Sequence, residues 1–338
     1  MLNKDIQINF AHQQWAHCET GVLSGLLSYH GLNISEALCF GIGSGLFFGY
    51  FPFIKVHGLP LITFRSSPGA IFKRVTRRLG IIVESRKFSN RETAMEALDR
   101  VLDQGIPVGL RTGMFWLPYF PSHFRFHFNA HNLIVFGREG SDYRISDPVL
   151  DEPVLCSRRD LSRARFAEGL LAPKGTMYYV AGIPTQVNLK QAILMGIREV
   201  CLTMLTPTIP LVGIWAIDHL ADKIRAWPKR LGYDKSKLYL GHMIRMQEEI
   251  GTGGGGFRLI YAAFLQDASE VLTDKHLHDL SGKMTLIGDR WREFALHGAR
   301  ICKGRDNVEN SYDILSDILH DCGHMEKEVL REIRKATS

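Results

Sequence analysis

The first helical run of this chain opens on a cysteine, and its composition forces it into the middle of a domain. Cys18 stands in Trp15-Ala16-His17-Cys18-Glu19-Thr20-Gly21, and Val22, Leu23, Leu26 and Leu27 recur at helical spacing before Gly31 stops the run. Gly21 and Gly25 lie on the same side as Cys18. Each costs about 1 kcal/mol in helix propensity, which makes sense where another element must approach closely. A thiol at the start of such a helix meets unpaired backbone amides and the positive end of the dipole, and both favour the thiolate.

A cysteine nucleophile needs a base. His131, in Asn129-Ala130-His131-Asn132-Leu133-Ile134-Val135-Phe136, and Asp147, in Ser146-Asp147-Pro148, flank a predicted hairpin around Arg138-Glu139-Gly140. With the hairpin centred on Glu139, His131 faces Asp147 directly across the ladder, side chains on one face. The aspartate then fixes the imidazole while the imidazole serves the thiol, the division of roles in a Cys-His-Asp acyl-transfer centre. Gln13 and Gln14, just ahead of the nucleophile, are the candidate oxyanion donors, with the Cys18 amide as second donor. His12 and His17 rank below His131 as base, because sequence neighbours at a bend seldom face the thiol. His123 and His127 precede His131 at intervals of four among phenylalanines. Packing is the preferred reading there, and no metal is expected.

At 338 residues the chain is long for one core, so two domains are expected, 1–183 and 184–338. The first reads as helix, then sheet. Strands are expected at Leu59 to Phe64, Ile81 to Glu84, Ile106 to Arg111, Asn132 to Phe136, Tyr143 to Ser146 and Thr176 to Val180, with helices between. This is an α+β pattern. After Ile183 the text turns helical: Gln191 to Thr203, Pro210 to Ile224, Ser236 to Glu249, Phe257 to Leu272, Leu277 to Leu296 and Ser311 to Lys335.

Three other segments draw a functional reading. Gly41-Ile42-Gly43-Ser44-Gly45 follows a helix rather than a strand, which excludes a dinucleotide fingerprint. Gly43 and Ser44 are read as a wall beside the active site, with a plain connection as the alternative. Met114 to Phe120, with Trp116 at its centre, reads as core, or as a lid or acyl pocket. Gly251 to Gly256 offers backbone amides to a phosphate with Arg258 assisting, or is simply an interhelical loop. It lacks the Lys-Ser/Thr end of a nucleotide-hydrolysing loop.

Six cysteines without CxxC spacing argue against a zinc ribbon or a disulfide framework. The N-terminus lacks a signal-peptide pattern, and Val200 to Ile217 is broken by Pro207 and Pro210. A cytoplasmic protein without membrane insertion is expected. The net charge of +6 suits an acidic partner such as an acyl carrier protein, or nothing in particular, and no nucleic-acid partner is expected.

At these residues the chain resembles a known family. His17-Cys18, Asn33 to Leu46, Ala130-His131-Asn132 and Ser146-Asp147-Pro148 resemble the N-terminal domain of butirosin biosynthesis protein H. Gly251 to Arg258 and Tyr261-Ala262-Ala263-Phe264-Leu265 resemble the helical domain of unknown function that accompanies it. The resemblance implies a papain-like fold and transfer of an acyl group from an acyl carrier protein thioester to an amine or hydroxyl of a small-molecule acceptor. Cys18 would be acylated, His131 would act as base and then acid, and Asp147 would orient His131. It implies no cofactor of the protein's own, since phosphopantetheine is carried by the donor. Papain-like enzymes place an oxyanion glutamine six residues before the cysteine, where this chain has His12, and Gln13 and Gln14 miss that spacing by one and two. A hydrolase on the same triad, peptidase or thioesterase, is the alternative, and a non-catalytic binding protein a third reading. Oligomeric state is not legible.

Overall fold

The structure is a computed structural model that describes residues 5–56, 58–251, 253–305 and 308–337. The chain divides into two compact units, one from Met1–Cys39 with Thr76–Val187, the other from Phe40–Val75 with Asn188–Ser338. The fold is α+β, with an antiparallel sheet in the first unit and a bundle of helices in the second.

The first unit begins with β1 (Ile6–Gln7), α1 (Cys18–Tyr29) and the start of α2 (Glu36–Ile42). The chain then passes through the other unit as β2 (Leu46–Val56) and β3 (Leu59–Arg65), returning along α3 (Ala70–Leu79). There follow β4 (Ile82–Arg86), α4 (Arg91–Leu102), β5 (Val108–Thr112), β6 (His131–Glu139), β7 (Asp142–Ser146), β8 (Val154–Ser157), α5 (Arg158–Arg165) and β9 (Met177–Gly182). The sheet order is β4-β9-β5-β6-β7-β8, with β1 taking over from β5 along the far end of β6.

β6 is buried along its length up to Arg138, which explains why Leu133 to Phe136 reads as an unbroken apolar run. α1 lies against β6. A Cβ on Gly25 would stand 3.2 Å from Ile134 Cδ1 and from Phe10 Cζ, and one on Gly21 only 2.6 Å from Trp15 Cβ. The two glycines therefore do what their place in the sequence requires. Leu23, Leu26 and Leu27 are fully buried on this helix, each stabilising by roughly 2 kcal/mol relative to exposure.

The hairpin register differs from the expected one. Glu139 pairs with Asp142, so Gly140 and Ser141 make the turn, and a bulge between Val135 and Gly137 brings Ile134 opposite Ser146. Continued one step, the ladder sets Asp147 opposite Leu133 rather than opposite His131. The displacement is two residues, and since side chains alternate with period two, His131 and Asp147 keep a common face and meet diagonally.

The second unit holds α6 (Leu189–Leu205), α7 (Gly213–Leu231), α8 (Tyr233–Glu248), α9 (Arg258–Leu272), α10 (Lys275–Cys302) and α11 (Val308–Ala336). It differs from the all-helical segment 184–338 in also containing the β2–β3 hairpin. The reason is apolar: Phe48 and Phe64 are buried, and their rings lie 5.8 and 5.5 Å from that of Trp291 in α10. No helix among the described residues is long and apolar enough to cross a membrane.

Candidate active site

The start of α1 is fixed by a carboxylate. Glu36, at the head of α2, accepts the backbone amides of Ala16 at 3.0 Å and His17 at 2.6 Å, and the Thr20 hydroxyl at 3.1 Å. Negative charge beside the first turn of a helix is favourable. Burial pushes the Glu36 carboxyl up from its ordinary range, and the three donors pull it back only in part. His17, with extended backbone, caps the helix, and its Nδ1 is 2.9 Å from Thr20 Oγ1. Cys18 is the first helical residue and is 8% exposed.

Both partners reach this thiol region from the sheet. His131, the first residue of β6, is buried, with Nε2 2.7 Å from Asp147 Oδ2, and its imidazole also hydrogen-bonds Cys18. Asp147 is completely buried, just past the end of β7. Its Oδ1 accepts the amide of Val149 at 3.1 Å, and its Oδ2 also accepts the Tyr119 hydroxyl at 2.8 Å. Burial alone would lower the imidazole pKa, but the Asp147 charge and hydrogen bond, with Cys18 adding to them, raise it to about 10. The pull toward the protonated form and the Asp147 hydrogen bond together hold His131 in one orientation beside the sulfur.

Asn132 completes the surroundings of the thiol. Its Nδ2 is 3.8 Å from Cys18 Sγ and 3.1 Å from the Ala130 carbonyl, and its Oδ1 accepts the Tyr178 hydroxyl of β9 at 2.9 Å. Burial pushes the Tyr178 phenol far up, which keeps the hydroxyl a donor. Asn132 shares strand parity with Ile134 and Phe136, the residues that face α1 and Phe10. Tyr119 carries no such signal, lying in a loop well upstream of its partner.

The structure thus brings Cys18, His131 and Asp147 together and sends the other expected residues elsewhere. Gln13 is exposed, and Gln14 donates to the Val149 carbonyl at 3.1 Å on the exposed side. His12 is held by Ser146 Oγ at 2.7 Å and the Leu150 carbonyl at 3.1 Å. Gly43 and Ser44 belong to the helical unit: the Gly43 carbonyl accepts from Arg74, and Ser44 donates to Gly196 and Glu199. Trp116 is half-buried under the Arg163 guanidinium, 4.3 Å from its ring centroid. Of its neighbours, Tyr119 reaches Asp147 and Phe120 packs edge-on to the His131 ring.

Arg258 and the glycine-rich loop are corrected outright. Arg258 is fully buried, with Nε and Nη2 on the two oxygens of Glu326 at 2.8 and 3.0 Å and Nη1 on the Gly256 carbonyl at 2.6 Å. Its guanidinium is paired and buried inside the bundle rather than presented to a phosphate. The Gly255 amide points at Glu248 Oε1, 3.1 Å away, and a Cβ on Gly256 would meet Phe64 at 2.6 Å. The glycines serve positive φ and tight packing, while Thr252 lies outside the described residues. His127 stacks on Phe115 with centroids 4.2 Å apart, and the side chain of His123 lies outside the described residues. Among those residues no cluster of three or more metal-ligating side chains forms.

Residues 17–148 match the family model for butirosin biosynthesis protein H, N-terminal, and residues 159–333 match that for a domain of unknown function, DUF4872. The second match begins ahead of β9, so it takes in a strand that lies inside the first unit's sheet. A crystal structure described as a C39-like peptidase, from Bacillus anthracis, is similar at 16% identity and a TM-score of 0.37, covering 54% of this chain and 100% of its own. No curated protein matches.

Proposed function

Because the chain belongs to the DUF4872 domain family and bears ahead of it a region like the N-terminus of butirosin biosynthesis protein H, we propose that it is a papain-like cysteine acyltransferase of antibiotic or related natural-product biosynthesis. The observation that carries this reading is the buried line Cys18, His131, Asp147, a thiol beside an imidazole that a buried carboxylate holds. In the first half-reaction the Cys18 thiolate adds to the carbonyl carbon of a thioester and forms a carbon–sulfur bond. The carbonyl electron pair moves to oxygen and returns to expel the donor thiolate, which takes the proton of His131. In the second, an amine or hydroxyl acceptor attacks the acyl-enzyme. The neutral imidazole accepts its proton, and Cys18 leaves as thiolate. The donor is an acyl group on the phosphopantetheine arm of a carrier protein. The low exposure of Cys18 favours a bound acceptor over water.

Intact-protein mass spectrometry after mixing with a panel of acyl thioesters tests this. Wild type is expected to gain the acyl mass, and Cys18→Ala is not. An added amine should then discharge the adduct as amide. Thioester cleavage at equal rates by both proteins removes Cys18 from the mechanism, and discharge only to free acid makes the protein a hydrolase.

A further inference from the structure

We propose that Asn132 is the side-chain oxyanion donor of the Cys18 centre, aimed by Tyr178. The inference rests on the acyl-transfer reading above. The amides and imidazole just before the nucleophile are committed elsewhere: Gln14 to Val149, His12 to Ser146 and Leu150, while Gln13 faces solvent. Asn132 is 4% exposed and places its Nδ2 3.8 Å from Cys18 Sγ.

Its carbamoyl has one orientation that satisfies its neighbours. Nδ2 must donate, because the Ala130 carbonyl at 3.1 Å can only accept, and that leaves Oδ1 to accept the Tyr178 hydroxyl at 2.9 Å. Tyr178 in turn cannot swing: its ring fills the space above Gly109, where a Cβ would come within 2.2 Å of Cε2. The second N–H of Asn132 is thereby delivered to the sulfur by a chain of fixed groups.

In the resting site that contact is long and weak. When a thioester carbonyl adds to the sulfur, the new oxyanion sits two bonds from Sγ. An N–H at this range from sulfur can then meet it at the roughly 2.7–3.1 Å of a working donor. The bond therefore strengthens as charge develops, which is what lowers a barrier rather than merely binding substrate. The Cys18 amide in the first turn of α1 is the second donor.

The test compares two reactions of the full chain. An aryl thioacetate acylates Cys18 through an oxyanion, whereas iodoacetamide alkylates it at a saturated carbon and forms none. Asn132→Ala is expected to lose about 100- to 1,000-fold in acylation, with alkylation within about threefold of wild type. Tyr178→Phe, which leaves the amide but releases its aim, should lose about tenfold in acylation alone. Equal losses in both reactions would make Asn132 a support for the thiol and overturn the proposal, as would no loss in either. Should circular dichroism show Asn132→Ala unfolded, the split between the two reactions in Tyr178→Phe decides, and its absence overturns the inference. A wild type that is alkylated but never acylated defeats the acyl-transfer reading first, and the donor role with it.

Discussion

The Tyr119 hydroxyl donates to Asp147 Oδ2 at 2.8 Å, on the same oxygen that holds His131. With His131 and Tyr119 on Oδ2 and the Val149 amide on Oδ1, the buried carboxylate is well satisfied, and losing the hydroxyl removes one of these donors. Tyr119→Phe is expected to lower stability by about 1–2 kcal/mol while leaving acylation within about tenfold of wild type. Thermal melts and thioester kinetics check it, and an unchanged melt would show the hydroxyl to be dispensable.

His131 gives stability a pH dependence whose sign is fixed. It holds its proton more tightly in the folded chain than in the unfolded one. Its contribution is therefore complete below its ordinary value of 6.5 and is lost as the pH climbs to about 10. In Asp147→Asn the raising charge is gone while burial, which lowers the pKa, remains. Urea unfolding at pH 6, 8 and 10 should show wild type losing more stability across this window than the variant. Parallel curves contradict the assignment of the shift to Asp147.

Asp147→Asn should also cut acylation by about 100- to 10,000-fold, because the imidazole loses both its charge partner and its fixed orientation. The measurement is the thioester rate at constant pH. A variant within a few-fold of wild type would remove Asp147 from the triad.

Glu36 holds the start of the helix that Cys18 opens. Glu36→Gln keeps the shape but turns one carboxylate oxygen into a donor facing the Ala16 or His17 amide. A loss of about 1–3 kcal/mol is expected. Iodoacetamide labelling of Cys18 should slow as the first turn loosens. Unaltered melting and labelling together speak against this role.

The Arg258–Glu326 pair predicts strong coupling. Arg258→Met leaves Glu326 charged and buried, at a cost of about 3–5 kcal/mol. Adding Glu326→Gln, which keeps an acceptor for the Trp291 indole, should recover much of that loss. Urea titrations of the three variants decide it; strictly additive losses would argue against an ion pair.

That Cys18, His131 and Asp147 converge was legible because each carries a local signal. A cysteine opens a glycine-bearing apolar helix, a histidine opens a buried strand, and an aspartate precedes a proline. The register between the last two was not legible. It turns on the position of the turn, at Gly140 and Ser141, and on a bulge beside Gly137, where a Cβ would lie 2.5 Å from the Ile6 carbonyl. The glycine-rich loop misled for a related reason. A phosphate cradle and a tight packing corner both demand glycine, and only Phe64 and Glu248 tell them apart. Asn132 could have been found by strand alternation from Ile134. Tyr119 depends on the path of a loop, which no periodicity encodes.

β9 is the last strand of the first unit to be made, yet it lies between β4 and β5. During synthesis Cys18, His131 and Asp147 all leave the ribosome before it does. Until Gly182 emerges the sheet stays split in two, and Asn132 has no phenol to aim it. A nascent or truncated chain therefore carries Cys18, His131 and Asp147 without the strand that completes the surroundings of the thiol.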